Sequence, residues 1–477
     1  MAKFDRLMFK YMKRIFFGFC IILFASVSFS QSVSQNLQKA WQQFESDSQL
    51  KHAISSLYVI DAKTGQVVFD KNSQIGLAPA STQKIITAAT AFELLGKDYR
   101  YKTEFFKGPQ QSIYVLGKGD PTFGSWRYKQ TIDTNIFRSV INAFEKEGIN
   151  STSGLVIYDN ENLKNIPSGW IFEDIGNYYG AAPQFLNWYE NQIEITFKPG
   201  NKEGEVARID TTALPNHWLW NILENNCKTG KKGSGDNAYV YFIPGTNKLV
   251  VEGTVPAGVD KFKISATNFN PAISFSSAFI EYAFLNWKYY GDTNLIAFSP
   301  LRWGLRRDDT AIMKNLIYTH YSPSLDSITY WFLKKSINLY GEALLKTFAY
   351  EKNGFGSTDG GVKIVKDFWK QKGIDGDELN ISDGSRLSPQ NRVTTHAQVE
   401  ILKYAKSKDW FQYYLNGFPE YNGMTMKSGT IRDVKGFCGY HKAKDGKEYI
   451  FSFLVNNYNG RTSAVVSKMY KVLDELK

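Results

Sequence analysis

The chain has 477 residues, more than one hydrophobic core sustains, so two or three domains are expected rather than one. Hydrophobic residues at 43%, charged residues at 22%, and a stock of 34 Phe, 28 Tyr and 11 Trp exclude a disordered chain. The formal charge of +11 speaks for association with anionic wall polymers or lipid headgroups, leaving peripheral membrane association open; no nucleic-acid motif accompanies it.

Lys3, Arg6, Lys10, Lys13 and Arg14 precede an apolar run from Ile15 to Phe29, the order of a secretory signal peptide over residues 1–30, with small residues at Ser28 and Ser30 and a mature start at Gln31. An uncleaved anchor is the alternative, but the apolar run is short for one. Phe19 before Cys20 argues against lipoprotein processing. Loss of the leader takes the formal charge from +11 to +7. An exported protein of the periplasm or cell envelope is therefore expected. Cys227 and Cys438, 211 residues apart, are too few for a disulfide framework, and two free buried thiols are expected.

Ser56–Asp61 and Gln66–Phe69 read as strands of a hairpin around Lys63-Thr64-Gly65. From Ser81 the period changes: Ile85, Ala88, Ala89, Phe92 and Leu95 recur at helical spacing, and Gly96 ends the helix, so Ser81 stands at its start. Residues 101–299 alternate in short runs, such as Ser112–Leu116, Leu155–Tyr158, Ile193–Phe197, Tyr239–Phe242 and Leu249–Val251, with Gly and Asn between them, and predict a β-rich block. Helical patterning returns from Asp308. Leu325, Ile328, Trp331 and Phe332 mark an amphipathic helix running to Lys335, followed at once by Ser336-Ile337-Asn338. Met424–Thr430 and Tyr449–Val455 look like antiparallel strands around an Asp445-Gly446 turn, and Ala464–Leu476 is a closing helix.

Ser81-Thr82-Gln83-Lys84 puts a hydroxyl and an amine three residues apart on one helix face. A serine hydroxyl is a weak nucleophile at neutral pH, and a desolvated lysine of lowered pKa can take its proton. The helix N-terminus favours negative charge forming beside Ser81. The spacing alone is unspecific: Ser48-Gln49-Leu50-Lys51 shares it, Lys-Thr-Gly occurs at 63–65 and 228–230, and Ser-x-Asn recurs at Ser34-Gln35-Asn36. Order and setting discriminate. Ser81 opens a helix, Ser336-Ile337-Asn338 follows one, and Lys427-Ser428-Gly429-Thr430 lies on a strand heading an antiparallel pair.

These three motifs in this order resemble the penicillin-recognising serine hydrolases, and more specifically the low-molecular-mass D-alanyl-D-alanine carboxypeptidase and endopeptidase family of class C, or S13, type. Leu116–Thr122, Tyr179-Gly180-Ala181, Ser336–Leu345 and Asp383-Gly384-Ser385-Arg386-Leu387-Ser388 carry the narrower placement, and 251 residues separate Lys84 from Ser336, as a large insertion requires. The resemblance implies an α+β fold: an antiparallel sheet flanked by helices, with an all-helical part, formed discontinuously by 31–100 and 300–477. Residues 101–299 would form the inserted β-rich region, as one subdomain or two.

The resemblance also implies roles. Ser81 would form an acyl-enzyme, Lys84 accept its proton, Ser336 relay a proton to the leaving amine, and Asn338 hold Lys84 and the substrate amide. Lys427 would supply positive potential, Ser428 and Thr430 would bind the terminal carboxylate, and the Ser81 and Thr430 amides would form the oxyanion hole. The implied substrates are peptidoglycan stem peptides, with β-lactams as covalent inhibitors. Ile337 stands where the family usually has Asp and Arg386 where it has Gly; the latter bears on pocket shape or leaving-group preference. Asp383 and Ser385 fit turn formation as well as substrate contact. Trp170, Tyr178 and Tyr179 fit packing better than sugar binding. Five His and two distant Cys show no ligand spacing, so neither metal nor cofactor is expected. A β-lactamase would need a deacylating Glu motif, of which no distinctive example is present, and a non-catalytic wall-binding protein would not need Ser81, Lys84, Ser336, Asn338 and Lys427 together.

Overall fold

In the computed structural model, which describes residues 33–159, 166–211, 222–246, 248–289, 296–300, 313–354 and 356–477, alternation along strands divides apolar side chains between the faces of a six-stranded antiparallel sheet. Its order is Glu420–Tyr421, Met424–Ile431, Val434–Lys442, Glu448–Asn456, Ile54–Asp61, Val67–Lys71. Period 2 sends Leu57, Val59, Phe451, Phe453 and Val455 to one face, against Trp41 and Phe44 of a helix over 33–45 and Val465 and Met469 of the closing helix Thr462–Leu473. Tyr58, Ile60, Ile450 and Leu454 take the other face, against Ile85, Ala88, Ala89 and Phe92 of helix Lys84–Leu95 and helices Leu325–Lys334, Asn338–Asn353 and Thr395–Lys406. Each fully buried Leu, Ile or Phe stabilises this three-layer core by roughly 1.5–3 kcal/mol.

The sequence pattern expects Met424–Thr430 and Tyr449–Val455 to pair, but the strands Met424–Ile431 and Glu448–Asn456 are not neighbours; Val434–Lys442 lies between and pairs with both. It is buried on both faces and broken by Gly436 and Gly439, so it shows no alternation to read. The Asp445-Gly446 turn joins this central strand to Glu448–Asn456.

The segment expected to be inserted begins with strand Lys102–Lys107, in a five-stranded sheet ordered Ile296–Pro300, Leu155–Asp159, Ile113–Gly117, Lys102–Lys107, Leu316–Tyr321. The first three strands are mutually parallel, which requires crossover connections, and these contain the helices Asp133–Lys146 and Pro271–Asn286. The expected β-rich block holds these two helices beside its strands: Ile136, Phe137, Val140, Ile141 and Phe144 recur at helical spacing and pack on Phe275 and Phe279 of the second helix. A second apolar cluster, containing Ile193, Ile195, Phe197, Val240 and Val251, joins a three-stranded and a four-stranded sheet. Leu316–Tyr321 pairs with Lys102–Lys107, so the block's return runs past residue 299. Cys227 and Cys438 are free and buried. The leader over 1–30 and Asp308 lie outside the described residues.

Candidate active site

Ser81 sits in a 3-10 turn, Ala80–Gln83, that runs directly into helix Lys84–Leu95. The turn is held by Thr82, whose backbone and side chain both bond the Pro79 carbonyl. One turn on, the fully buried Lys84 brings Nζ to 3.0 Å from Ser81 Oγ. Nζ also donates to Asn338 Oδ1 at 2.8 Å and to the Ser385 carbonyl at 2.7 Å. Burial, and then the charge of Lys427, holds this amine well below the usual lysine range. A neutral amine has two N–H groups and one lone pair. Asn338 Oδ1 and the Ser385 carbonyl can only accept, so they take both N–H groups and turn the lone pair toward the Ser81 hydroxyl.

The partners of Lys84 are themselves held. Asn338 is the first residue of helix Asn338–Asn353, and its Nδ2 donates to the Tyr179 carbonyl at 2.7 Å, which fixes the orientation of its amide. Glu342, one turn along, is buried and accepts the Gly384 and Ser385 amides, fixing the loop whose carbonyl holds Lys84. Burial, then the charge of Asp383, pushes the Glu342 carboxyl up. Asp383 accepts the amides of Arg386 and Ser388, so it acts as a turn former. Trp170 donates Nε1 to Asp383 at 3.0 Å and packs on the insertion's core.

Ser336 follows helix Leu325–Lys334 with a left-handed backbone, φ 59°. Lys427, on strand Met424–Ile431, donates to Ser336 Oγ at 3.1 Å. The seven residues singled out in the sequence, Ser81, Lys84, Ser336, Asn338, Lys427, Ser428 and Thr430, thus converge on one cleft, while the Lys-Thr-Gly copies at 63–65 and 228–230 lie elsewhere, on a turn and in the insertion. Lys435 was not singled out in the sequence. Lys435, opposite Thr430 on the unanticipated central strand, donates to Ser428 Oγ at 2.7 Å and Thr430 Oγ1 at 2.8 Å. Burial lowers Lys427 and Lys435 each to about 8. The signal that finds Lys435 is hairpin register across Arg432-Asp433, which requires the central strand first.

Two connected spaces share Ser81, Ser336 and Thr430. One, of about 460 Å³, is lined by Lys427 and Ser428. The other, of about 1190 Å³, runs under the insertion past Asp174, Tyr178, Tyr179 and Tyr239. Among the described residues no group of His, Cys, Asp and Glu is placed to hold a metal ion.

The model of the D-Ala-D-Ala carboxypeptidase 3 (S13) family matches residues 34–420. That match stops short of Lys427, whose place in the cleft is given by its bond to Ser336. The D-alanyl-D-alanine carboxypeptidase of Actinomadura sp. (strain R39) is 28% identical over 451 residues, covering 87% of this chain and 80% of that protein. Penicillin binding protein 4 (dacB) of Haemophilus influenzae has the same fold, with a TM-score of 0.72 at 18% identity over 89% of this chain and 96% of that one. The same protein in complex with a novel beta-lactam gives a TM-score of 0.69 at 19% identity over 92% of this chain and 99% of that one.

Proposed function

The chain belongs to the D-Ala-D-Ala carboxypeptidase 3 (S13) family, and on that premise we propose that it hydrolyses D-alanyl-D-alanine ends and D-alanyl cross-links of peptidoglycan through an acyl-enzyme at Ser81. Membership makes it a serine-type D-Ala-D-Ala carboxypeptidase. The observation that carries the mechanism is the Lys84 amine, buried and held by two acceptors with Ser81 Oγ 3.0 Å away.

Ser81 Oγ attacks the carbonyl carbon of the penultimate D-Ala as its proton passes to Lys84 Nζ. The oxyanion lies toward the backbone amides of Ser81 and Thr430, and each such donor contributes about 3 kcal/mol to the transition state. Collapse breaks the C–N bond, and the amine of the departing D-Ala takes a proton through Ser336, which Lys427 orients. Water then hydrolyses the ester, returning the acid and the free hydroxyl. Ser428, Thr430 and Lys435 receive the terminal carboxylate, an anion matched to a buried cation and two hydroxyls. The 1190 Å³ space is large enough for the peptide chains on either side of a cross-link, which supports endopeptidase action beside carboxypeptidase action.

Penicillin mimics the D-alanyl-D-alanine end and acylates the same serine; the beta-lactam complex of the Haemophilus protein supports this. The substrate lies outside the cytoplasmic membrane, in keeping with a leader over 1–30 and an envelope location, and the basic charge fits association with anionic wall polymers or headgroups. No helix among the described residues is long and apolar enough to cross a membrane.

The test is digestion of isolated peptidoglycan with product analysis, run beside labelled penicillin and a Ser81→Ala control. Release of D-Ala or conversion of cross-linked peptides to uncross-linked ones, and a label that persists on Ser81, are expected. Rapid release of the label with turnover would make the chain a β-lactamase, and saturable wall binding without products would make it a binding protein.

A further inference from the structure

A groove of about 310 Å³ lies outside the catalytic cleft, where three distant segments meet: Tyr128 of the insertion, Tyr330 and Trp331 of helix Leu325–Lys334, and Tyr413 of helix Phe411–Asn416. Both helices fill the core with other side chains, since Leu325, Ile328, Phe332, Leu333 and Tyr414 are fully buried. Tyr330 stays half-buried and Tyr413 is 41% exposed, so these two are aromatic where core packing does not ask for it. The platform is rigid. The Trp331 ring meets Tyr330 edge-on at 5.2 Å and lies 5.4 Å from the Arg127 guanidinium, which Glu190 fixes at 2.8 Å. A ring surface ordered in advance loses little entropy when a ligand lands on it.

The polar groups of the groove select the ligand. The described residues that line it include no lysine or arginine, and Asp326 is an acid. Lys97, 5.5 Å from the Tyr413 ring, is paired with Asp98 at 2.7 Å. An anionic polymer or lipid headgroup therefore finds no free counter-charge there. Asp326 Oδ1 accepts the Ser327 amide at 2.6 Å, and its Oδ2 receives no donor from the described residues. Asn416 Oδ1 accepts Gln412 Nε2 at 2.8 Å, and its Nδ2 finds no acceptor among them. One open acceptor and one open donor beside apolar ring faces match a neutral sugar: its C–H face lies on the rings while hydroxyl or acetamido groups take the polar pair. The groove also adjoins the cleft, because Arg127, which lies on Trp331, lines the 1190 Å³ space. We propose that the groove binds the glycan strand of peptidoglycan, a polymer of N-acetylated amino sugars, apart from the scissile peptide. The choice of this glycan rests on the peptidase function proposed above.

The test is calorimetric titration of the full chain with chitotetraose, the neutral β-1,4-linked tetramer of N-acetylglucosamine, with penicillin added to occupy the cleft. Saturable binding is expected. It weakens about tenfold in the double variant Tyr330→Ala/Tyr413→Ala and is retained in Tyr330→Phe/Tyr413→Phe, which keeps the rings; unfolding midpoints check that both variants are folded. Absence of saturable binding by the wild-type chain overturns the proposal without any variant, and so does binding that the alanine pair leaves unchanged. D-Ala release and penicillin labelling are read in parallel. Their absence with sugar binding present removes the peptidase function and leaves the groove standing, whereas absence of sugar binding with both present removes the groove alone.

Discussion

A lysine serves as a base only while neutral, and a lysine binds a carboxylate only while charged; the cleft needs both. Lys84 is held low by burial and by Lys427, whereas Lys427 and Lys435, at about 8, stay largely protonated at neutral pH. Activity gained as Lys84 loses its proton therefore rises with pH, and activity lost as Lys427 and Lys435 lose theirs falls above about pH 8. A bell-shaped profile of kcat/KM on a D-Ala-D-Ala peptide is expected; a plateau continuing well above pH 8 refutes the assignment of its alkaline limb to these two lysines. Lys84→Ala slows acylation by labelled penicillin about 10²- to 10⁴-fold while a cooperative unfolding transition persists. Lys435→Met raises KM about tenfold for a peptide with a free C-terminal carboxylate. That penalty disappears with the C-terminally amidated peptide, and its persistence there would assign Lys435 a structural role instead.

At the scale of elements, the site depends on how closely the strand carrying Lys427 approaches the turn carrying Ser81. Gly429 makes that approach: a Cβ there would lie 2.7 Å from Ser81 N and 2.8 Å from the Ala80 Cβ and the Pro79 oxygen. Backbone on the far side cannot yield as a flexible side chain would. Gly429→Ala therefore displaces the edge that presents Ser428 and Thr430, and a misplacement of about 1 Å lowers acylation by about a hundredfold. Stopped-flow measurement of penicillin acylation checks this; a rate within about threefold of wild type, far from the loss of about a hundredfold, would show that the edge adapts. The neighbouring strand Val434–Lys442 shows the limit of pattern at this scale. Its burial on both faces removes the alternation that identified Met424–Ile431 and Glu448–Asn456.

Across the whole molecule, the insertion is fastened to the helix that begins with Asn338. Tyr340 donates to Glu190 at 2.7 Å, and Glu190, fully buried, also receives Ser125 at 2.7 Å and Arg127 at 2.8 Å. Together with the Asn338–Tyr179 bond, this places insertion residues directly behind the proposed catalytic set. Glu190→Ala leaves the Arg127 guanidinium without its partner, and breaking such a buried pair destabilises by about 3–5 kcal/mol. Urea denaturation followed by tryptophan fluorescence should show a lower midpoint or an early first transition; an unaltered curve would mean that the fastening contributes little.

Local chemistry was legible in the residues themselves: the hydroxyl–amine spacing of Ser81 and Lys84, helix periodicity after it, the strand carrying Lys427, and the order of three short motifs. Those features are set by contacts a few residues apart, so period and spacing report them. The crossover helix Asp133–Lys146 was also written in its spacing, but lay among strand-like runs that masked it. Lys435, the closed ring of donors around Asp383 and the open guanidinium of Arg386 were decided by tertiary structure alone. Each depends on which groups from distant segments arrive, or fail to arrive, within hydrogen-bond distance. That is a property of packing, and no periodicity along the chain encodes it.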